Sequence, residues 1–265
     1  MYPFNYHRAA SVEEAAKRLS GAPEAKLLAG GQTLLPTMKQ RLAGPSDLID
    51  LARIAGLKGI KADKSGVEIG AMCTHAEVAG SKEVQNAIPA LAALAGDIGD
   101  PHVRAVGTLG GSVANNDPAA DYPAACLGLA ASIVTNHRTV AADAFFTGLF
   151  QTALDDQEIV TAVNFPIPAR AGYAKFKNPA SRYAIVGVFV AKAAGGVRVA
   201  VTGAGADGVF RVKEMEAALD KDFSTDAVAG ISVAADGLNS DIHASAEYRA
   251  HLITVMAKRA VAAAS

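Results

Sequence analysis

Lys26-Leu27-Leu28-Ala29-Gly30-Gly31-Gln32-Thr33-Leu34-Leu35-Pro36 is the stretch on which the fold turns. A short apolar run stops at two adjacent glycines, and Leu34 to Leu42 then resumes at helical spacing. This predicts strand, glycine turn and helix, with Pro36 tolerable only in the helix's first turn, where no intrahelical donor is lost. Upstream, Ser11-Val12-Glu13-Glu14 fits a capping box, and Val12, Ala15, Ala16 and Leu19 place a helix over residues 11 to 20. Downstream, residues 48 to 51 read as a strand, and 60 to 62 and 67 to 71 as a hairpin around Asp63-Lys64-Ser65-Gly66.

Helices are expected from Thr74 onward, over residues 87 to 94 and over 122 to 129, with strands over 132 to 135 and 158 to 165. Residues 100 to 121, rich in glycine, asparagine, aspartate and proline, read as a long polar loop between two apolar helices. Pro166-Ile167-Pro168-Ala169-Arg170-Ala171-Gly172 is the expected linker. Beyond it, residues 173 to 177, 184 to 193 and 197 to 202 are β-rich runs suited to a meander. Helices over 213 to 219 and 245 to 263 close the chain, the last with Tyr248, Leu252, Val255 and Met256 on one face. Hairpins and helices mix without strict alternation, which predicts an α+β fold in two lobes, residues 1 to 168 and 172 to 265.

The chain of 265 residues is 51% hydrophobic and 19% charged, a globular composition. A net charge of −1 without a long basic run argues against nucleic-acid binding. Two cysteines, Cys73 and Cys126, are too few for a disulfide framework or for the four thiolates of an iron–sulfur cluster. No signal peptide and no transmembrane run is evident, so a cytoplasmic protein is expected.

Two segments could hold a ligand. Ala29-Gly30-Gly31-Gln32-Thr33 is either a phosphate-holding turn with outward N–H groups or an ordinary turn. It is neither a P-loop nor a Rossmann fingerprint. Thr108-Leu109-Gly110-Gly111-Ser112, continuing through Asn115 to Pro118, reads as a second donor loop or as an ordinary polar surface loop. Two such loops suit a ligand with several polar portions, such as a dinucleotide. Gly203-Ala204-Gly205-Ala206-Asp207-Gly208 has the literal G-x-G-x-x-G spacing, but Val209-Phe210-Arg211-Val212 follows as a β-like run where a helix is required. The six histidines form no zinc motif, and there is no G-x-S-x-G elbow, so a bound cofactor is the better source of reactivity.

Ala29 to Pro36, Ile69-Gly70-Ala71-Met72-Cys73-Thr74-His75, Asp100-Pro101-His102-Val103-Arg104, Gly107 to Ser112 and Asn116 to Ala124 together resemble the FAD-binding medium subunit of the molybdenum hydroxylases, of the carbon monoxide, nicotine and xanthine dehydrogenase type. The likeness continues through Lys175-Phe176-Lys177, Ser181-Arg182-Tyr183-Ala184 and Tyr248-Arg249. It implies an FAD-binding lobe of the vanillyl-alcohol-oxidase/cresol-methylhydroxylase type in two subdomains, about 1 to 55 and 56 to 168, followed by a smaller C-terminal lobe with an antiparallel sheet.

By the same resemblance, Ala29, Gly30, Gly31, Gln32, Thr33 and Leu34, with Thr108, Gly110, Gly111, Ser112 and Asn115, would wrap non-covalent FAD, the two glycine segments doing so with backbone donors. Asp121 would hydrogen-bond it, Thr74, His75 and Asp100 would lie close, and Lys177 and Tyr183 would approach the flavin ring. Gln32 stands where the family often has His. The resemblance places molybdopterin on a large partner subunit and [2Fe-2S] clusters on a small one, in a dimer of heterotrimers, with electrons leaving for an external acceptor. A stand-alone flavin oxidase of this fold and a non-catalytic assembly subunit are the alternatives.

Overall fold

In the computed structural model, which describes residues 1 to 265, the first layer is a three-stranded parallel sheet. Asp47–Asp50 lies in its centre, between Asn5–Arg8 and Lys26–Leu28. Parallel neighbours need crossovers, and the helices Val12–Gly21 and Leu34–Lys39 supply them. Ser11 caps the first, its hydroxyl accepting from the Glu14 N–H at 3.2 Å. The Glu14 carboxylate reaches back one residue further, to the Ala10 N–H at 2.9 Å. Pro36 stands in the first turn of the second. Ile49, Leu51, Ile54 and Leu57 form a small core beneath this layer.

A five-stranded antiparallel sheet follows, in the order Ile60–Ala62, Val67–Gly70, Val160–Phe165, Ser132–Thr135, Thr139–Ala141. Short helices cover it. The apolar stretch expected as one helix over 87 to 94 is broken at Ile88. Lys82–Ala87 stops, and Pro89 begins Pro89–Gly96, because proline has no N–H to continue the first helix but fits the opening turn of the next.

Residues 100 to 121 are not the expected loop. They hold the helices Pro101–Val106 and Leu109–Asn115, and Tyr122–Gly128 follows. Asp100 caps the first, accepting from the Val103 N–H at 2.9 Å, and Thr108 caps the second, accepting from the Gly111 N–H at 3.2 Å. Helices of six and seven residues show no readable periodicity and persist through caps and tertiary contacts. The helix Ala142–Phe145 and the hairpin Phe146–Gly148 with Gln151–Thr152 also lie outside the sequence-based expectation.

The last layer is an antiparallel sheet of Arg170–Lys177, Ala184–Ala193, Gly196–Thr202 and Phe210–Arg211. Both faces are covered, which explains the unbroken apolar run of its second strand. Val186, Val188 and Val190 point into a core shared with the helix Ala246–Ala262, while Phe189 and Ala191 join the large core of the preceding layer. Each such valine contributes about 1.5 kcal/mol or more by leaving water.

The linker shortens to residues 166 to 169, since Gly172 belongs to a strand. A Cβ there would collide with the Ala260 carbonyl, so glycine lets the closing helix approach the sheet. That helix buries Arg249, Leu252, Ile253, Met256, Ala257 and Ala260. Tyr248 sits on the rim, edge-on to Phe176 with ring centres 6.1 Å apart, so the buried stripe is rotated from the expected face. After Gly203 to Gly208 comes the strand Phe210–Arg211, paired with Ala200 and Val201, as the β-like run predicts. The short helix Thr225–Ala229 was not expected.

Candidate functional site

A cavity of about 930 Å³ opens where the parallel sheet, the helices beyond the five-stranded sheet and the 178–183 turn meet. Fourteen of the seventeen residues singled out in the sequence line it: Ala29 to Leu34, His75, Thr108, Gly110, Gly111, Ser112, Asn115, Asp121 and Tyr183.

The first glycine segment leaves the strand Lys26–Leu28 and turns at Gly31, whose φ of +70° suits a residue without a Cβ. The N–H groups of Gly30, Gly31, Gln32 and Thr33 donate to no protein atom. Four consecutive free donors on a cavity wall form a concave cradle for an anion. The Gln32 side chain folds back, its amide 3.4 Å from the Gly30 carbonyl.

The second segment is built differently. An isolated bridge between Thr74 and Thr108 stitches it to the end of the central sheet. Leu109 N–H donates to the Cys73 carbonyl at 3.0 Å, and Gly110 N–H to the Ala71 carbonyl at 2.8 Å. Gly111 and Ser112 N–H donate to Thr108. These amides are engaged within the protein, which corrects the expectation of a second backbone donor loop. The glycines here provide space. A Cβ on Gly110 would lie 2.5 Å from that of Ala71, and one on Gly111 would lie 2.8 Å from Thr108 Oγ1 and 3.4 Å from Ala29 Cβ. Across the junction, a Cβ on Gly30 would strike the Val106 carbonyl. The two segments therefore touch, and a Cβ on Gly30, Gly110 or Gly111 would press on the wall's own atoms. The half-buried Ser112 and Asn115 side chains make no internal hydrogen bond and remain available to a ligand.

His75 follows the cap residue of the helix His75–Gly80. Its N–H donates to the Gly107 carbonyl at 2.9 Å, and its ring lies 5.4 Å from that of Tyr122. The ring is buried, Nδ1 has no partner, and Nε2 lies 2.7 Å from where a Gly107 Cβ would stand. Burial, with Arg104 nearby, pushes its pKa down to about 4, so the imidazole is neutral at physiological pH. Asp121 is buried in the wall and accepts from the Tyr173 hydroxyl and from Lys175 Nζ. Burial raises its pKa against the pull of those two donors.

Three of the named residues do not line the cavity. Thr74 is occupied by a complete capping box with Glu77, Asp100 caps Pro101–Val106, and Lys177 pairs with the Asp97 carboxylate at 2.7 Å. In return, the structure adds a wall that sequence reading passed over, from Leu154 to Val160. Its anchor is Glu158, held by Arg138, Thr135 and the Asp155 N–H, which keep its carboxyl down at about 2. The run Asp155-Asp156-Gln157-Glu158 was the only signal, and before a strand it looks like a solvated turn.

A family model for the FAD binding domain in molybdopterin dehydrogenase matches residues 2 to 168. The chain belongs to this family. Among relatives of the FAD-binding chain is the carbon monoxide dehydrogenase medium chain of Hydrogenophaga pseudoflava, 36% identical over 98% of this chain and 96% of that one. The nicotine 6-hydroxylase medium subunit of Paenarthrobacter nicotinovorans is 37% identical, over 97% and 95%. The reconstituted CO dehydrogenase from Oligotropha carboxidovorans superposes with a TM-score of 0.91 at 32% identity, covering 98% of this chain and 97% of that one. The family assigns FAD as the cofactor and oxidoreduction within a complex as the chemistry. The cavity fits that group: it combines free donors for a diphosphate, glycines whose missing Cβ atoms let the two wall segments close on each other, and a buried neutral imidazole with an orphan nitrogen. No helix is long and apolar enough to cross a membrane.

Proposed function

We propose that the chain is the FAD-carrying electron-transfer subunit of a cytoplasmic molybdenum hydroxylase. It would receive electrons from [2Fe-2S] clusters of a small partner subunit and pass them to an external acceptor, while substrate is oxidised at molybdopterin on a large subunit. The observation that carries this reading is the row of four unpartnered N–H groups, Gly30 to Thr33, on the wall of a cavity large enough for a dinucleotide. The names of the relatives, medium chains and subunits of dehydrogenases and hydroxylases, support the placement within a larger complex. Two free, buried cysteines, Cys73 and Cys126, agree with clusters held on another chain.

When bound, FAD supplies a centre that takes electrons singly from iron–sulfur donors and releases them in pairs. The chain's part is to hold and orient it. The Gly30 to Thr33 amides would hold the diphosphate, and the Ser112 hydroxyl and Asn115 amide would take further polar groups. Neutral His75 would offer one ring nitrogen without adding charge. Asp121 and Tyr183 would border the flavin ring, Tyr183 from the turn between the first two strands of the C-terminal lobe. The lobes are assigned as two FAD-binding subdomains, about 1 to 55 and 56 to 168, of the vanillyl-alcohol-oxidase type, then 172 to 265, in a dimer of heterotrimers.

The test is reconstitution of the apo chain with FAD, followed by flavin absorbance and fluorescence. Stoichiometric, non-covalent uptake is expected, and Gly111→Trp should abolish it while the C-terminal core stays folded. A wild-type chain that takes up no FAD overturns the reading. Co-purification with iron- and molybdenum-containing chains tests the assembly.

A further inference from the structure

Strand Arg170–Lys177 sends Tyr173, Lys175 and Lys177 to one side, as the two-residue period of a strand requires. Tyr173 and Lys175 converge on Asp121. Lys175 Nζ lies 3.0 Å from Asp121 Oδ1 and 3.2 Å from Oδ2, and donates to the Asp97 carbonyl at 2.8 Å. The Asp97 carboxylate stands 3.8 Å off and is itself paired with Lys177. The Lys175 side chain is 1% exposed and that of Asp121 4%, so neither charge has water to fall back on. Gly187, opposite Lys175 in the sheet, makes room: a Cβ there would lie 2.5 Å from the Tyr173 hydroxyl.

Asp121 lines the cavity and Lys175 does not. The strand that carries Lys175 belongs to the last sheet, and the carboxylate it grips belongs to the cavity wall. We propose that Lys175 is a positioning residue for the cofactor. It acts through Asp121, fixing that carboxylate's orientation and charge at the wall, so that a bound flavin meets a neutralised Lys175–Asp121–Tyr173 unit. This rests on the FAD reading above. Removing the ammonium alone leaves a buried carboxylate without its counter-charge, and removing the carboxylate alone leaves an ammonium. Either changes the charge or protonation facing the cavity, whereas removing both leaves a neutral wall.

The experiment uses the full chain with FAD as the probe, comparing wild type, Lys175→Met, Lys175→Arg, Asp121→Asn and the double variant Lys175→Met/Asp121→Asn. FAD affinity is read by fluorescence titration and the reduction potential by spectroelectrochemistry, after thermal unfolding has established that each variant is folded. Lys175→Met should weaken FAD binding at least tenfold and shift the potential, Lys175→Arg should restore most of both, and Asp121→Asn should raise the potential. The double variant should lie closer to wild type than either single one. A merely structural lysine would change the melting temperature without this pattern in the potential. If wild type binds FAD and Lys175→Met matches it in affinity and potential, or if the single effects simply add, the proposal is overturned. If wild type binds no FAD, it is the cofactor reading that fails, and this inference with it. Should Lys175→Met not fold, Asp121→Asn and the double variant carry the same comparison.

Discussion

In the segment Ala29 to Thr33, the N–H groups of four consecutive residues have no acceptor in the protein. In Thr108 to Ser112, those of Leu109, Gly110, Gly111 and Ser112 each have one. Both segments carry a glycine pair and both line one cavity. Their glycines solve different problems. Gly31 supplies a left-handed turn that leaves donors free, while Gly110 lets a helix close on Ala71 and Gly111 lets it approach Ala29 and the Thr108 hydroxyl. Glycine content alone therefore says that backbone comes close, and the hydrogen-bond accounting says whether it comes as a donor or as a spacer.

The largest effect should come from the place where the two segments collide. Gly30→Val puts branched carbon against the Val106 carbonyl, a backbone atom that cannot rotate away. We expect a loss of about 4 kcal/mol of stability, beyond ordinary overpacking, together with loss of FAD uptake. A variant that keeps wild-type flavin content in a denaturant-resistant fold would show that the segments are not in register as described.

His75 gives the next largest effect, because it sets the unpaired buried imidazole against the buried, ion-paired carboxylate of Glu158. Its folded pKa of about 4 lies below the ordinary 6.5, so the unfolded chain binds a proton between those values and the folded one does not. Stability should therefore fall as pH drops through that window, by about 2 kcal/mol between pH 7 and pH 5. Glu158 acts with the same sign in a lower window. Its lowered pKa gives stability that is full above the ordinary carboxylate value and is lost only as pH falls toward about 2, so it does not contribute to this interval. Urea midpoints at the two pH values measure the slope, and His75→Gln should flatten it.

The two caps before and within the second segment sharpen the contrast further. Asp100 and Thr108 make the same kind of bond to the third residue of their helices, but only Thr108 lines the cavity. Asp100→Ala and Thr108→Ala should each cost about 1 kcal/mol. FAD titration should weaken severalfold for Thr108→Ala and stay unchanged for Asp100→Ala. Equal losses of affinity would mean that the helix as a whole, and not the residue at the wall, matters to the ligand.

What could be read in the sequence was what local chemistry determines. The N-cap at Ser11, the hairpin turn Asp63 to Gly66, the strand–glycine–helix of residues 26 to 39 and the β-rich runs of the last sheet all carry their signals within a few residues. The short helices over 101 to 106 and 109 to 115 did not, since their glycines and polar residues argue for loop and only the caps Asp100 and Thr108 hint otherwise. The wall from Leu154 to Val160 was invisible for another reason. Its acidic run becomes part of a cavity only because Arg138, some twenty residues away, folds over Glu158. Lys175 stands in the Lys175-Phe176-Lys177 stretch that carries the family resemblance, yet its partner Asp121 lies in a different layer, and no spacing rule connects the two.

The smallest effect belongs to the third glycine-rich run, which tests the lesson from the other side. Gly203 to Gly208 has the spacing of a dinucleotide motif, but Gly203 is pressed against the Ala184 and Ile185 carbonyls, and its N–H donates to the Pro118 carbonyl at 2.8 Å. No helix follows to receive a phosphate. Gly208 has a φ of +104° and nothing nearer than the Gly148 carbonyl, 3.9 Å from where a Cβ would stand. Gly208→Ala therefore meets backbone strain and no collision, costing about 1 kcal/mol. If this glycine serves only the turn into Phe210–Arg211, thermal unfolding will register that cost and FAD affinity will not move. A tenfold fall in affinity from this substitution would mean that the run contributes to the cofactor after all, and that free N–H groups are not what distinguishes a binding glycine segment from a structural one.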